Sequence, residues 1–259
     1  MKKLLLLFVA LVLITANLFS QEKTYLIFEL MRVDNEQETD YWKVEEFWEK
    51  IHKQRIMNGE LIGWDMWSLK PGGEDEGYQY MTVSVYDNPI KMFKGDDNFP
   101  AAVKAAYPEM SDNEFQSQMG KTSKSRDLSK RFYLEVLAET EDEYDMDIGS
   151  IAFIDFMKAT NSTYETAEIE TFLPMHQKAV DEEVKEKWSL LRIMSPSGSD
   201  AYATHITVNM FLGFEQVFKP KKKVSDQNLS ENAIEKIEAG VKSRDLRWTN
   251  IATLLRKVR

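Results

Sequence analysis

Apolar residues along this chain follow two rhythms. Residues 24–33 (TYLIFELMRV) form a short run rich in branched and aromatic side chains, which predicts a strand. From Asp40 to Asn58, Val44, Phe47, Trp48 and Ile51 recur at helical spacing, with the stem of Arg55 continuing the stripe. Residues 61–69 and 78–86 are strand-like again, and Pro71-Gly72-Gly73 with the acidic stretch behind it suits a hairpin. The span 89–124 is less regular and is broken by Pro-Glu-Met-Ser-Asp, which predicts two or three short helices. A closing strand follows near 131–138.

That order then repeats. Sliding the chain by roughly 120 residues aligns FELMR (28–32) with IDFMK (154–158), and EEFWEKIHK (45–53) with IETFLPMHQ (169–177). The second match pairs Glu46 with Glu170 and His52 with His176. Trp64 falls on Trp188, KPGG (70–73) on SPSG (195–198), and MTVSVY (81–86) on ITVNMF (206–211). The pentapeptide KSRDL closes both halves, at 124–128 and 242–246. Collinear landmarks of this kind point to tandem duplication. The second copy should carry strands near 150–158, 187–194, 201–211 and 248–257, with helices near 163–185 and 213–245. Strand, helix, two strands, helical region and strand is the split β-α-β, ferredoxin-like order. The expected fold class is α+β, with one ferredoxin-like copy over 21–145 and another over 146–259. KSRDL sits where a helix should end, with basic residues at the negative end of the helix dipole, and it launches the last strand. Arg126 and Arg244 are expected to pair there with a nearby carboxylate.

Two such copies in one chain resemble a fused form of the dimeric α+β barrel superfamily. The stretch WEKIHKQRIMNGELIGWDMWSL (48–69) is similar in style to NIPSNAP-like and antibiotic-monooxygenase-like domains, and to uncharacterised exported bacterial proteins. The resemblance implies a pseudo-dimeric barrel, two sheets face to face with helices outside. The superfamily includes monooxygenases, haem-degrading enzymes, lactone isomerases and chlorite dismutase-like haem proteins, so the fold alone leaves the activity open.

Alternation sorts each strand into two faces. Met81, Val83 and Val85, matched by Ile206, Val208 and Met210, form an apolar face expected to lie under the helices. The other face carries Tyr78, Tyr80, Thr82 and Ser84, matched by Ala203, His205, Thr207 and Asn209, and is expected to look into the space between the sheets. Glu29 and Asp155 fall at matched mid-strand positions on that second face, joined by Tyr133 and Glu135 from the last strand. A polar, aromatic face of this kind suits a small apolar or aromatic ligand held between the sheets. Glu29, Asp155 and His205 are the candidates for proton transfer, because a desolvated carboxylate or imidazole there is suited to acid–base work. A cofactor-free monooxygenase or isomerase is one alternative reading. Haem binding is a second, with His52 or His176 as axial ligand. A third is an envelope interaction module whose sheets merely scaffold outer surfaces. No histidine spacing suggests a metal site, and the helix histidines are expected on the opposite side of their sheets from His205.

The first residues change where the protein should be found. MKKLLLLFVALVLITANLFS has two lysines, an apolar run from Leu4 to about Ile14 and a more polar end, which reads as a signal peptide over 1–20. The mature protein is then expected to be periplasmic or secreted, with no membrane insertion. Its lack of cysteine excludes disulfides and thiolate chemistry. The net charge of −10 argues against nucleic acid as a partner. The single chain supplies both halves of a pseudo-dimer, which leaves further assembly into a homodimer open.

Overall fold

The computed structural model describes residues 23–73, 75–95, 98–219 and 229–259. The predicted signal peptide lies outside the described residues. The first half runs β1 (Tyr25–Arg32), α1 (Glu38–Met57), β2 (Gly63–Gly73), β3 (Tyr78–Tyr86), α2 (Pro89–Lys94), α3 (Phe99–Ala106), α4 (Asp112–Ser125) and β4 (Asp127–Glu139). The second half runs β5 (Ile151–Ala159), α5 (Tyr164–Ala167), a π-helical turn (Glu168–Phe172), α6 (Leu173–Asp181), β6 (Lys187–Ser195), β7 (His205–Phe211), α7 (Phe214–Val217), α8 (Glu231–Lys242) and β8 (Arg244–Val258). No helix among the described residues is long and apolar enough to cross a membrane.

All eight strands close into one barrel in the order β1-β3-β2-β8-β5-β7-β6-β4, and every pairing is antiparallel. Within the first half the order is β4-β1-β3-β2, and within the second it is β8-β5-β7-β6. Two seams join the halves. At one, Trp64 of β2 faces Val258 of β8; at the other, Glu135 of β4 faces Arg192 of β6. Closure pairs both edges of each half-sheet, so among the described residues no strand presents a free row of backbone donors and acceptors.

The alternation read from the sequence is present, but its facing is inverted. Phe28, Leu30, Met81, Val83, Phe132 and Leu134 pack with Ile154, Phe156, Leu191, Ile206, Met210 and Leu254 in a single cluster fed by both halves. This is the barrel interior, and it takes the apolar face. The polar and aromatic face points outward, under the helices. The reason lies in the helices as much as the strands. Toward the sheet α1 presents Tyr41, Glu45, Trp48 and His52. A face of that mixed character is matched by Met31, Trp64, Met66 and Tyr80 on the outside of the barrel. A closed lumen, by contrast, offers buried polar groups few partners and is best filled by apolar side chains.

Candidate functional site

Each KSRDL ends a helix, turns a corner and opens a strand. Ser125 and Ser243 are buried, and their hydroxyls donate to the carbonyls of Thr122 (3.3 Å) and Gly240 (2.7 Å), in the last turns of α4 and α8. Their arginines turn inward. Arg126 donates to Glu45 on α1, and Arg244 to Glu168 in the π-helical turn. Both glutamates are almost wholly buried. The expected carboxylate partners are therefore one or two residues away from the sequence pairing of Glu46 with Glu170, both of which are exposed. Glu45 precedes His52 by seven positions, whereas Glu168 precedes His176 by eight. The π-helical turn takes up the extra residue and keeps both anchors in place.

The two histidines repeat a second device. His52 stacks on Trp64 with centroids 4.9 Å apart, and His176 stacks on Trp188 at 4.5 Å. Each Nδ1 accepts a hydrogen bond from a cation, from Arg55 at 3.2 Å and from Lys185 at 3.0 Å. Burial first, then the neighbouring cations, hold both rings neutral. His52 lies well below the usual histidine range, and His176 is pushed down to about 3. These rings lie on the outer faces of the sheets, the same side as His205, contrary to the sequence expectation.

Between the outer face of the first half-sheet, α1 and α2 lies a cleft of about 350 Å³. Glu29, Thr82, Ser84 and Tyr133 rise from the sheet, while Glu45, Trp48 and His52 descend from α1. Arg131 lies across the floor and donates to Glu29 through Nε at 2.8 Å and Nη2 at 2.5 Å. Thr82 adds a longer contact to Glu29 at 3.4 Å. Phe93 of α2 stacks on Tyr133 at 4.9 Å and forms an aromatic lip that is half exposed. Deeper in, burial pushes the Glu45 carboxyl up to about 7, against the opposing pull of Arg126. The site thus joins aromatic walls, a partly exposed guanidinium and a carboxyl poised near neutrality, the combination expected where a small molecule is bound or deprotonated.

The matched position in the second half is tied off differently. Asp155 stands where the first half has Glu29, and Thr249 stands where it has Arg131. Thr249 donates to Asp155 at 2.6 Å, Asn209 adds a contact at 3.4 Å, and Lys185 donates to both Asn209 and His176. Burial raises the Asp155 carboxyl above its ordinary value, opposed by the Thr249 hydrogen bond. Thr207 is buried on this same outer face. His205 belongs to a third place, the β4–β6 seam. Its Nε2 lies 3.0 Å from Glu165 and its Nδ1 2.9 Å from the Thr204 hydroxyl. Glu165 is held in turn by Arg192 at 2.6 and 2.9 Å, and Arg192 and Lys23 both reach Glu135. Burial lowers the His205 pKa, partly offset by Glu165.

The proposed acid–base trio therefore does not meet. Glu29, Asp155 and His205 occupy separate places, none of them between the sheets. Of the expected ligand contacts, Thr82, Ser84 and Tyr133 share the first-half cleft with Glu29. Tyr80 packs outside against Tyr41 and donates to Glu38, Glu135 lies at the seam, and Thr207 and Asn209 lie beside Asp155. Tyr78 alone joins the interior cluster. Sequence reasoning missed Glu45, Trp48 and Arg131 as cleft residues. Arg131 was legible, because it shares the parity of Tyr133 and Glu135 along β4.

These residues do not fit haem. An axial histidine needs a lone pair on the nitrogen that faces the iron. With Nδ1 of His52 and of His176 accepting from a cation, the proton of each neutral ring sits on Nε2; in His205 both nitrogens are engaged. The cleft floor is also crossed by ion pairs where a porphyrin face would need apolar surface. Among the described residues, no group of three or more histidine or acidic side chains is placed to hold a metal ion.

No protein-family model and no curated protein sequence matches the chain. Solved structures do. A protein of Fusobacterium nucleatum provisionally assigned as a monooxygenase superposes with a TM-score of 0.55 at 9% identity, covering 92% of this chain and 95% of that one. An anthrone oxidase-like protein superposes at 0.53 with 10% identity over 92% and 94%. A heme-binding protein of Thermus thermophilus superposes at 0.50 with 6% identity over 91% and 92%. At such identities the likeness shows the fold alone, an α+β arrangement around a closed antiparallel barrel.

Proposed function

We propose that the chain is an exported, tandemly duplicated pair of ferredoxin-like units that binds a small, planar, acidic organic molecule in the first-half cleft. The observation that carries this reading is the cleft floor, where Arg131, its side chain 43% exposed, lies beneath aromatic walls. A phenolate or carboxylate of the ligand would meet Arg131, and its ring would lie against Phe93, Tyr133 and Trp48. The apolar run at Leu4–Ile14 supports export, and the matched strand orders of the two halves support duplication.

The test is a comparison of 1-hydroxy-2-naphthoate with naphthalene, followed by tryptophan fluorescence on the mature protein. The acid is expected to bind more tightly, and Arg131→Ala to weaken it by about tenfold or more while leaving naphthalene unchanged. Equal binding of both probes, or an Arg131→Ala variant that matches the parent, overturns the proposal.

A second reading, a cofactor-free enzyme that removes a proton from such a ligand, is favoured by Glu45. A carboxyl near neutrality can accept a phenolic or acidic C–H proton at physiological pH. The provisional monooxygenase and the anthrone oxidase-like protein among the structural neighbours are compatible with that chemistry. Here Glu45→Gln should retain 1-hydroxy-2-naphthoate binding and abolish oxygen uptake with an anthrone substrate. Full uptake in that variant refutes the role of Glu45.

A further inference from the structure

The barrel lumen contains a second cavity, unrelated to the cleft. It has a volume of about 440 Å³ and opens at the end of the barrel where the segment joining the halves crosses. Its wall is contributed by both halves and is mostly apolar, including Leu26, Val85, Val136, Met146, Val208 and Met210. Most of these are only partly buried, since they border the open space and have no further side chain against them. None of the buried polar side-chain atoms that lack a hydrogen-bond partner belongs to a residue lining this cavity. Beyond Thr24, Ser189 and the charged residues of the lining, the wall offers water no hydrogen-bonding side chain except the Tyr144 hydroxyl, which is held by Ser150, and that apolar stretch suits hydrocarbon.

The mouth differs from the wall. Arg259 pairs with Asp65 at 2.8 and 2.9 Å, Lys187 bridges Glu139 at 3.3 Å and Asp142 at 3.4 Å, and Lys257 holds Asp145 and the Met146 carbonyl. These charges are mutually satisfied, so the rim offers polar surroundings without demanding a counter-ion. Tyr144 and Met146 hang over the opening from the segment between β4 and β5. Methionine is the most adaptable apolar side chain, and Met81, Met146 and Met210 all line the space.

We propose that the lumen binds a medium-chain aliphatic molecule with a neutral polar head, its tail inserted among Leu26, Val85, Val136 and Val208 and its head at the charged rim. The volume lies within the range of about 300–1,000 Å³ typical of small-molecule sites. A chain of methylenes gains free energy with each one buried and brings no polar group that would be left unmatched. The site is independent of the first-half cleft, and its ligand class is different.

The probe is N-phenyl-1-naphthylamine, whose fluorescence rises on transfer to apolar surroundings, with 1-decanol as competitor. The mature protein is expected to bind one equivalent of the probe, to release it to 1-decanol, and to retain it against 1-hydroxy-2-naphthoate. Val208→Phe and Ala152→Leu, which project bulk into the lumen, should each weaken probe binding by about tenfold or more with the circular dichroism unchanged. Photolabelling of the unmodified protein with a diazirine derivative of decanol keeps the test open should either variant fail to fold. Labels are expected within residues 24–28, 81–85, 136–154 or 208–210, which line the lumen. The proposal is overturned by non-saturable probe binding, by folded filler variants that bind as well as the parent, by displacement with the naphthoate instead of decanol, or by labels outside those segments.

Discussion

Arg126→Met isolates the buried ion pair that KSRDL creates. In the parent, the Glu45 side chain is 1% exposed and that of Arg126 16%, so solvent screening is slight. Burial raises the Glu45 carboxyl from an ordinary 4.5 to about 7. Between those values the native state holds more protons than the unfolded chain, so this group costs stability as pH rises through the window and costs no more above it. Each unit is worth about 1.4 kcal/mol. Removing Arg126 withdraws the main influence that holds the carboxyl down, and its pKa rises further. The loss then continues beyond pH 7. The deficit of Arg126→Met relative to the parent should therefore be small at pH 6 and grow by about 1.4 kcal/mol per unit, adding about 2.7 kcal/mol between pH 7 and 9. That approaches the low end of the range of about 3–5 kcal/mol for breaking a buried pair. Urea unfolding followed by tryptophan fluorescence at pH 6, 7, 8 and 9 measures it. Glu45→Gln combined with Arg126→Met should abolish the slope. A deficit that is the same at every pH, or a slope that survives in the double variant, refutes the assignment to Glu45.

Two further predictions concern the second half. His176 is held neutral down to about 3, so the unfolded chain binds an extra proton below its own ordinary value of 6.5, and stability is lost as pH falls through that window. His176→Phe keeps the stack on Trp188 and should lessen the acid loss by about 1.4 kcal/mol per unit between pH 6 and 4.5, read from urea midpoints; parallel pH profiles would contradict this. Gly240 on α8 has no room for a side chain, because a Cβ there would meet Cε2 of Phe172 at 2.6 Å and Cζ at 3.0 Å. Gly240→Ala should cost about 1–3 kcal/mol and lower the melting temperature, and an unchanged melt would show that the π-helical turn yields to the added methyl.

Periodicity carried most of the architecture. The alternation of Phe28 with Glu29 and of Val83 with Thr82 marks the strands and sorts their faces correctly. What it cannot supply is which face is inside, because a period of two is symmetric between them. The choice depends on what the helices present, and α1 presents Glu45, Trp48 and His52, an unusual lining for a helix packed on a sheet. The repeated KSRDL located both corners. Its carboxylate partners were hidden because one half contains a π-helical turn, which moves Glu168 one place out of step with Glu45 when the histidines are aligned. Glu29 and Arg131 are cross-strand neighbours in β1 and β4, yet they are far apart in sequence. Only the antiparallel register brings them together. The absence of a meeting point for Glu29, Asp155 and His205 has the same origin, since matched positions in two halves of a barrel lie on separate outer surfaces.

The substitution of Arg131 by Thr249 at matched positions has a consequence for how such a barrel can change. When two identical chains assemble, every mutation arrives twice, and a residue that improves one pocket is forced on the other. Here both halves belong to one polypeptide, and each codon is spent once. One side can keep a cation over an accessible carboxylate while the other turns its carboxylate into internal bracing through Thr249 and Asn209. Two halves carried by one chain are free of a common fate, so one face can keep an accessible ion pair while the other is braced from within.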